Sequence, residues 1–166
     1  MSSEIMSLEM DVFCLLLLIR ILYQMYINRE QNDHWNYFYY TIAWACVYLF
    51  MDAIWIMNVK HLLTFSKIQS GIFNSFYFCS LAMLVCSWYV YVQKTLHSAV
   101  LKHKKILVLT FIPLIFFIGS SLLSYWTHGL FVIDQAGNYH RGKLLPFYFL
   151  ILFAYILYLS IKAGYL

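Results

Sequence analysis

Charge is what this sequence has least of: Asp, Glu, Lys and Arg supply 11% of its 166 residues, where roughly 25% is usual in a soluble domain. A water-exposed globule is excluded on that ground, and no stretch is polar enough to form a separate soluble domain. The start carries Glu4, Glu9 and Asp11 and lacks the positive n-region of a secretory signal peptide, so the first apolar stretch is expected to stay in the protein. The four cysteines, Cys14, Cys46, Cys79 and Cys86, form no C-x-x-C pair and stand in no Cys/His cluster with metal-ligand spacing. Redox and metal roles are therefore set aside, and the thiols read as small buried hydrophobes. No Ser/His/Asp set or paired carboxylate can be read either, so an enzyme is not expected and no cofactor is implied.

What is abundant is apolar length. Hydrophobic residues make up 63% of the chain, nearly all in blocks near the ~20 residues that a helix needs to cross ~30 Å of hydrocarbon. Five blocks, at about 8–27, 37–57, 71–93, 106–126 and 144–161, predict an all-α membrane protein: a single bundle of five transmembrane helices spanning 1–166. Within the fourth block Pro113 is placed to kink the helix, and Gly119, Ser120 and Ser121 to let helices approach closely. The polar segment 58–70 has an apolar middle, Leu62, Leu63 and Phe65, that would suit a stretch lying along the interface.

Five spans put the termini on opposite sides, and loop charge orients them. With the N-terminus outside, the inner segments hold Arg29, Lys94, Lys102, Lys104, Lys105 and Lys162, against Lys60, Lys67, Arg141 and Lys143 outside. The bias, dominated by the dense basic segment after the third block, predicts an N-out, C-in protein of the cell membrane. The same distribution makes lipid headgroups, and not nucleic acid, the counter-charge for a net +4. Aromatics gather at block ends, as in Trp35, Tyr37, Tyr39 and Tyr40, then Trp88, Tyr89 and Tyr91, then Tyr125 and Trp126. They read as interfacial belts.

Two charges fall well inside helices, Arg20 and Asp52. At ~1.5 Å rise per residue they lie about 12 Å apart in depth, so a salt bridge between them is not expected. Asp52 has polar company at its own level in the outer half, namely Asp11, Asn74, Ser75, Tyr77, Ser120, Ser121, Ser124 and Tyr148. A carboxylate inside a span costs roughly 2.5 to 3.5 kcal/mol and usually faces a bundle interior or wet cavity, so an outward pocket is expected, with Asp52 and Asn74 as its anchors. The serines also suit interhelical hydrogen bonding.

Residues 130–142 are too short and too polar to span. A β-prone run, a turn-forming Asp134-Gln135-Ala136-Gly137-Asn138 stretch and a second short run predict a hairpin, with Gly137 or Asn138 in the turn. His140 and Arg141 would then stand over the pocket, as ligand contacts or as solvated tip residues, with the hairpin as a lid.

The tract Phe131 to Gly142, with Gly137-Asn138-Tyr139-His140-Arg141-Gly142 and the following Pro146, together with Asn36-Tyr37-Phe38-Tyr39-Tyr40 and the Asp52/Trp55 spacing, resembles the multi-helix N-terminal membrane region of bacterial signalling proteins. In that group such a region precedes a GGDEF diguanylate cyclase or another output domain. The resemblance implies a sensory or receptor module that binds a small ligand and passes its state to a cytoplasmic output, a second copy of itself or a separate partner. No GGDEF tract or phosphoacceptor domain is found in these 166 residues, so the expectation is a sensory module without its output. A small transport or substrate-capture subunit is the rival expectation. The expected ligand contacts are Asp52, Asn74, Tyr77, Ser120, Ser121, Tyr148, His140 and Arg141.

Overall fold

The computed structural model describes residues 3–27, 33–59, 62–63, 65–96, 104–135 and 139–164. Five helices and one small sheet follow in chain order: α1 (Ser3–Ile27), α2 (Asp33–Val59), α3 (Lys67–Thr95), α4 (Lys104–Thr127), strands β1 (Phe131–Ile133) and β2 (Tyr139–Arg141), and α5 (Leu145–Gly164). Each expected helix is present. By length and composition, three of them carry stretches able to cross a membrane, Leu8–Ile27, Asn36–Asn58 and Lys67–Thr95; the apolar stretches described in the others, Phe111–Thr127 and Leu145–Tyr158, are shorter.

α3 is the hub, packing against α2, α4, α5 and β1, whereas α1 packs chiefly on α2. The reason is visible along its surface, where small or compact residues, Ser70, Gly71, Asn74, Ser75, Ser80 and Ala82, are all buried. Such residues let backbones approach. At Gly71 an added Cβ would lie 2.3 Å from the Tyr125 ring, so α4 closes onto α3 here. Larger side chains, Phe78, Val85, Leu114, Phe117, Tyr148 and Leu152, fill the space between α3, α4 and α5.

Several expectations need correction. α3 begins at Lys67, because Ser66 and Gln69 form a reciprocal capping box: Gln69 N donates to Ser66 Oγ (3.3 Å) and Ser66 N donates to Gln69 Oε1 (2.9 Å). The supposed interfacial segment 58–70 therefore belongs partly to α2 and α3, and Phe65 stacks on Phe73 of α3 at 4.6 Å. Tyr89 is no belt residue, since it is buried edge-on between Phe111 and Tyr155. None of the cysteines is fully buried; Cys14 is exposed, the other three are half-buried, and all four are free thiols. Gly119 makes no close approach: a Cβ built there meets nothing within 4 Å. Gly119→Ala is accordingly expected to raise helix stability slightly, by up to about 1 kcal/mol, and a clear loss in thermal melting of the purified variant would show that α4 packs differently.

The hairpin exists, antiparallel, with Phe131 opposite Arg141 and Ile133 opposite Tyr139; the turn residues 136–138, including Gly137 and Asn138, lie outside the described residues. It is not a lid. Leu130, Phe131 and Ile133 are buried in the main core, with Phe131 stacked on Phe78 at 6.0 Å. Buried Ser124 on α4 ties it down, accepting from the backbone N–H of both Leu130 (2.8 Å) and Phe131 (3.1 Å). At its base the chains cross at two glycines, Gly142 N donating to Leu130 O (2.8 Å) and Leu144 N to Gly129 O (3.0 Å).

Candidate functional site

The antiparallel run of α2 and α3 brings the C-terminal end of one against the N-terminal end of the other, and the hairpin covers that end of the bundle. Between them lies a cavity of about 380 Å³. α2 contributes Trp55, and α3 contributes Asn74, Tyr77 and Phe78, which its 3.6-residue period places on one face. Strand alternation turns Tyr139 and Arg141 inward together. Gly142 and the first turns of α5, through Leu145, Pro146 and Phe149, close the remaining side.

The walls are aromatic and ordered against one another. Trp55 stacks on Tyr77 (6.4 Å, 17°) and meets Tyr139 edge-on (5.7 Å, 90°). Burial pushes the Tyr139 phenol up, with Arg141 nearby opposing the shift, so Tyr139 stands at the rim as a neutral hydroxyl. Two polar groups stand out. Asn74 is 2% exposed; its Nδ2 donates to Ser70 O (2.7 Å), while its Oδ1 has no hydrogen-bond partner. A buried amide oxygen left unpaired costs on the order of 1 to 3 kcal/mol and is a standing invitation to a donor. Arg141 is exposed and has no ion-pair partner among the described residues.

Behind Tyr77 is a second constellation. Its hydroxyl lies 3.1 Å from that of Tyr48, and the carboxyls of Asp52 and, on α1, Asp11 stand near it. The pair was not legible in the sequence, because it depends on the rotation of α1 against α2. Among the described residues no group of three or more His, Cys, Asp or Glu side chains could hold a metal ion.

The expected ligand contacts thus separate. Asn74, Tyr77 and Arg141 line the cavity. Asp52 is half-buried, and its polar contacts are Asp11 and Tyr77 in place of the expected Asn74. Ser120 and Ser121 donate to their own helix, to Phe116 O (2.6 Å) and Phe117 O (2.8 Å). Tyr148 is buried edge-on against Phe117 at 4.8 Å, on the α4 side. His140 alternates outward and lies 3.4 Å from Asp134. Arg20 is exposed on α1. Of the lining residues not singled out as contacts, Trp55 stood in the motif spacing, Tyr139 follows from its alternation with Arg141, and Leu145 and Phe149 from their i, i+4 relation.

Asp52→Asn is expected to leave the fold intact, because the isostere keeps the volume, removes a charge set close to Asp11 and strands no described cation. Thermal melting should move by no more than about 1 kcal/mol equivalent. A fall of roughly 3 to 5 kcal/mol would instead reveal a buried cation paired with Asp52.

No protein-family model matches this chain, and no curated protein or solved structure matches it either.

Proposed function

We propose that this protein is a membrane-embedded receptor module: a bundle of five spans, N-terminus outside, whose outward cavity binds a small ligand and whose state is read by a cytoplasmic output or partner. The observation that carries the reading is the cavity itself, in which a buried amide oxygen and a guanidinium, both without partners among the described residues, converge with an aromatic wall. Concave, mostly apolar sites with a few placed polar groups are the usual form of small-molecule pockets.

Membrane embedding of all five helices is supported by an inverted surface. Phe116, Phe147, Leu150 and Phe153 of α4 and α5 are as exposed as Phe13 and Leu16 of α1, while Ser70, Asn74, Ser121 and Ser124 are buried. In water such an exterior would be an extended apolar patch, and in lipid it is solvated. The loop charges supply the orientation and the motif resemblance the signalling role. The carboxyl pair of Asp11 and Asp52 beside the cavity favours one rival, an ion-coupled transport subunit, since intramembrane acids often belong to proton paths.

Two measurements decide. In a chain whose native cysteines are replaced, Asn138→Cys should react in intact cells with a membrane-impermeant maleimide and Ser98→Cys should not; the reverse pattern overturns the orientation. In sealed proteoliposomes a receptor binds ligand stoichiometrically, whereas concentrative uptake of the ligand would replace the receptor by a transporter.

A further inference from the structure

The cavity is asymmetric in charge and in hydrogen-bonding sense. None of its lining residues is acidic, and Asp52 is set behind the Tyr77 ring. Arg141 stands on its wall, and the first turn of α5 opens onto it through Leu145 and Pro146, so the partial positive charge of a 20-residue helix adds to the guanidinium. Deeper, Asn74 offers an unpaired acceptor, its Oδ1, while its Nδ2 donates to Ser70 O. The remaining lining, Trp55, Tyr77, Phe78 and Phe149 above all, is flat and apolar.

From this we infer that the ligand is an amphipathic organic anion: an acidic head held by Arg141, a planar or branched apolar body against Trp55 and Tyr77, and an N–H or O–H donor that satisfies Asn74 Oδ1. The inference rests on the reading of the cavity as a ligand site and adds the class of molecule. A cation would be repelled by Arg141, with no acidic lining residue to offset it. A purely apolar molecule would leave the amide oxygen orphaned. A carboxylate or phosphate could reach the site in a soluble metabolite or in a lipid of the outer leaflet, and the chemistry is the same for both.

The test uses the full chain in phosphatidylcholine nanodiscs at neutral pH and four probes that vary in charge, ring donor and ring size. Indole-3-acetate has the anion, the planar body and a ring N–H; phenylacetate lacks the donor, indole lacks the charge, and tryptamine reverses it. Equilibrium dialysis is expected to show saturable binding of indole-3-acetate, with phenylacetate weaker by about tenfold or more and tryptamine not bound. Arg141→Gln should weaken indole-3-acetate at least about tenfold and Arg141→Lys less, since Lys keeps the charge but not the fork. Asn74→Ala should narrow the preference for indole-3-acetate over phenylacetate. His140→Gln, on the opposite face of the same strand, should change nothing. Repeating the titration in nanodiscs containing oleate or phosphatidic acid separates the sources: competitive displacement assigns the site to a lipid anion, and undisturbed binding to a soluble one.

The inference is overturned if tryptamine or indole binds as tightly as indole-3-acetate, if Arg141→Gln leaves the affinity unchanged, or if neither anion binds. The underlying pocket is tested apart from ligand class by Tyr139→Cys in a cysteine-free chain. Labelling of that residue by a membrane-impermeant maleimide, blocked by whichever probe binds, keeps the pocket even when the anion class fails; a residue that no external reagent reaches removes the outward pocket itself.

Discussion

Gly142→Ala should be the most damaging single-methyl change in the hairpin. A Cβ on Gly142 would lie 2.1 Å from Gly129 O and 2.5 Å from the carbonyl carbon of Leu130. Both are backbone atoms, so no rotamer change relieves the overlap, and the two strands must part where Gly142 N donates to Leu130 O and Leu144 N to Gly129 O. Overpacking alone costs up to about 3 kcal/mol, and each hydrogen bond lost with a buried partner adds roughly 1 to 3 kcal/mol. A drop of at least about 3 kcal/mol in unfolding free energy is expected, together with loss of probe binding, because Gly142 and Arg141 both belong to the cavity wall. A Gly142→Ala protein that melts with the wild type would mean that the hairpin base is not packed as described.

Ser124→Ala should follow it in size, and for a different reason. The three serines near the end of α4 look equivalent in sequence, yet only Ser124 reaches out of its helix: Ser120 and Ser121 return their hydroxyls to Phe116 O and Phe117 O, whereas Ser124 Oγ accepts from Leu130 N and Phe131 N. Ser124, Leu130 and Phe131 are each 0% exposed, so water cannot replace the hydroxyl. Stranding two buried N–H groups is expected to cost about 2 to 6 kcal/mol, from roughly 1 to 3 for each. Ser120→Ala and Ser121→Ala should lie within about 1 kcal/mol of wild type, since each removes a hydroxyl whose acceptor keeps its helical partner. Chemical or thermal unfolding of the three variants side by side is the measurement, and equal effects across them would refute the anchoring role of Ser124.

The order of those two effects also bears on the cavity. β1 is held by Ser124 and by Phe131 stacked on Phe78, and Phe78 is itself part of the cavity lining. The core face of the hairpin is thus part of the cavity wall. Damage to the hairpin's core face should weaken binding along with stability, while changes at His140, on the outer face, should touch neither.

By itself the sequence determined the elements and their polarity. The five long apolar blocks are helices, and the β-prone run before Asp134 is a strand. It also grouped Asp11, Asp52, Asn74 and Tyr77 at one level, since axial depth follows from counting residues. What only the tertiary structure decided is azimuth. Counting along a helix says nothing about its rotation against a neighbour, and that rotation sends Asn74 and Tyr77 to the cavity, Ser120 and Ser121 to their own backbone, and Asp52 to Asp11. The same holds for close approach: Gly71, Gly119 and Gly142 are alike on paper, but the first admits the Tyr125 ring, the second meets nothing and the third lets two backbones cross. A glycine only permits contact, and the partner arrives from a distant part of the chain.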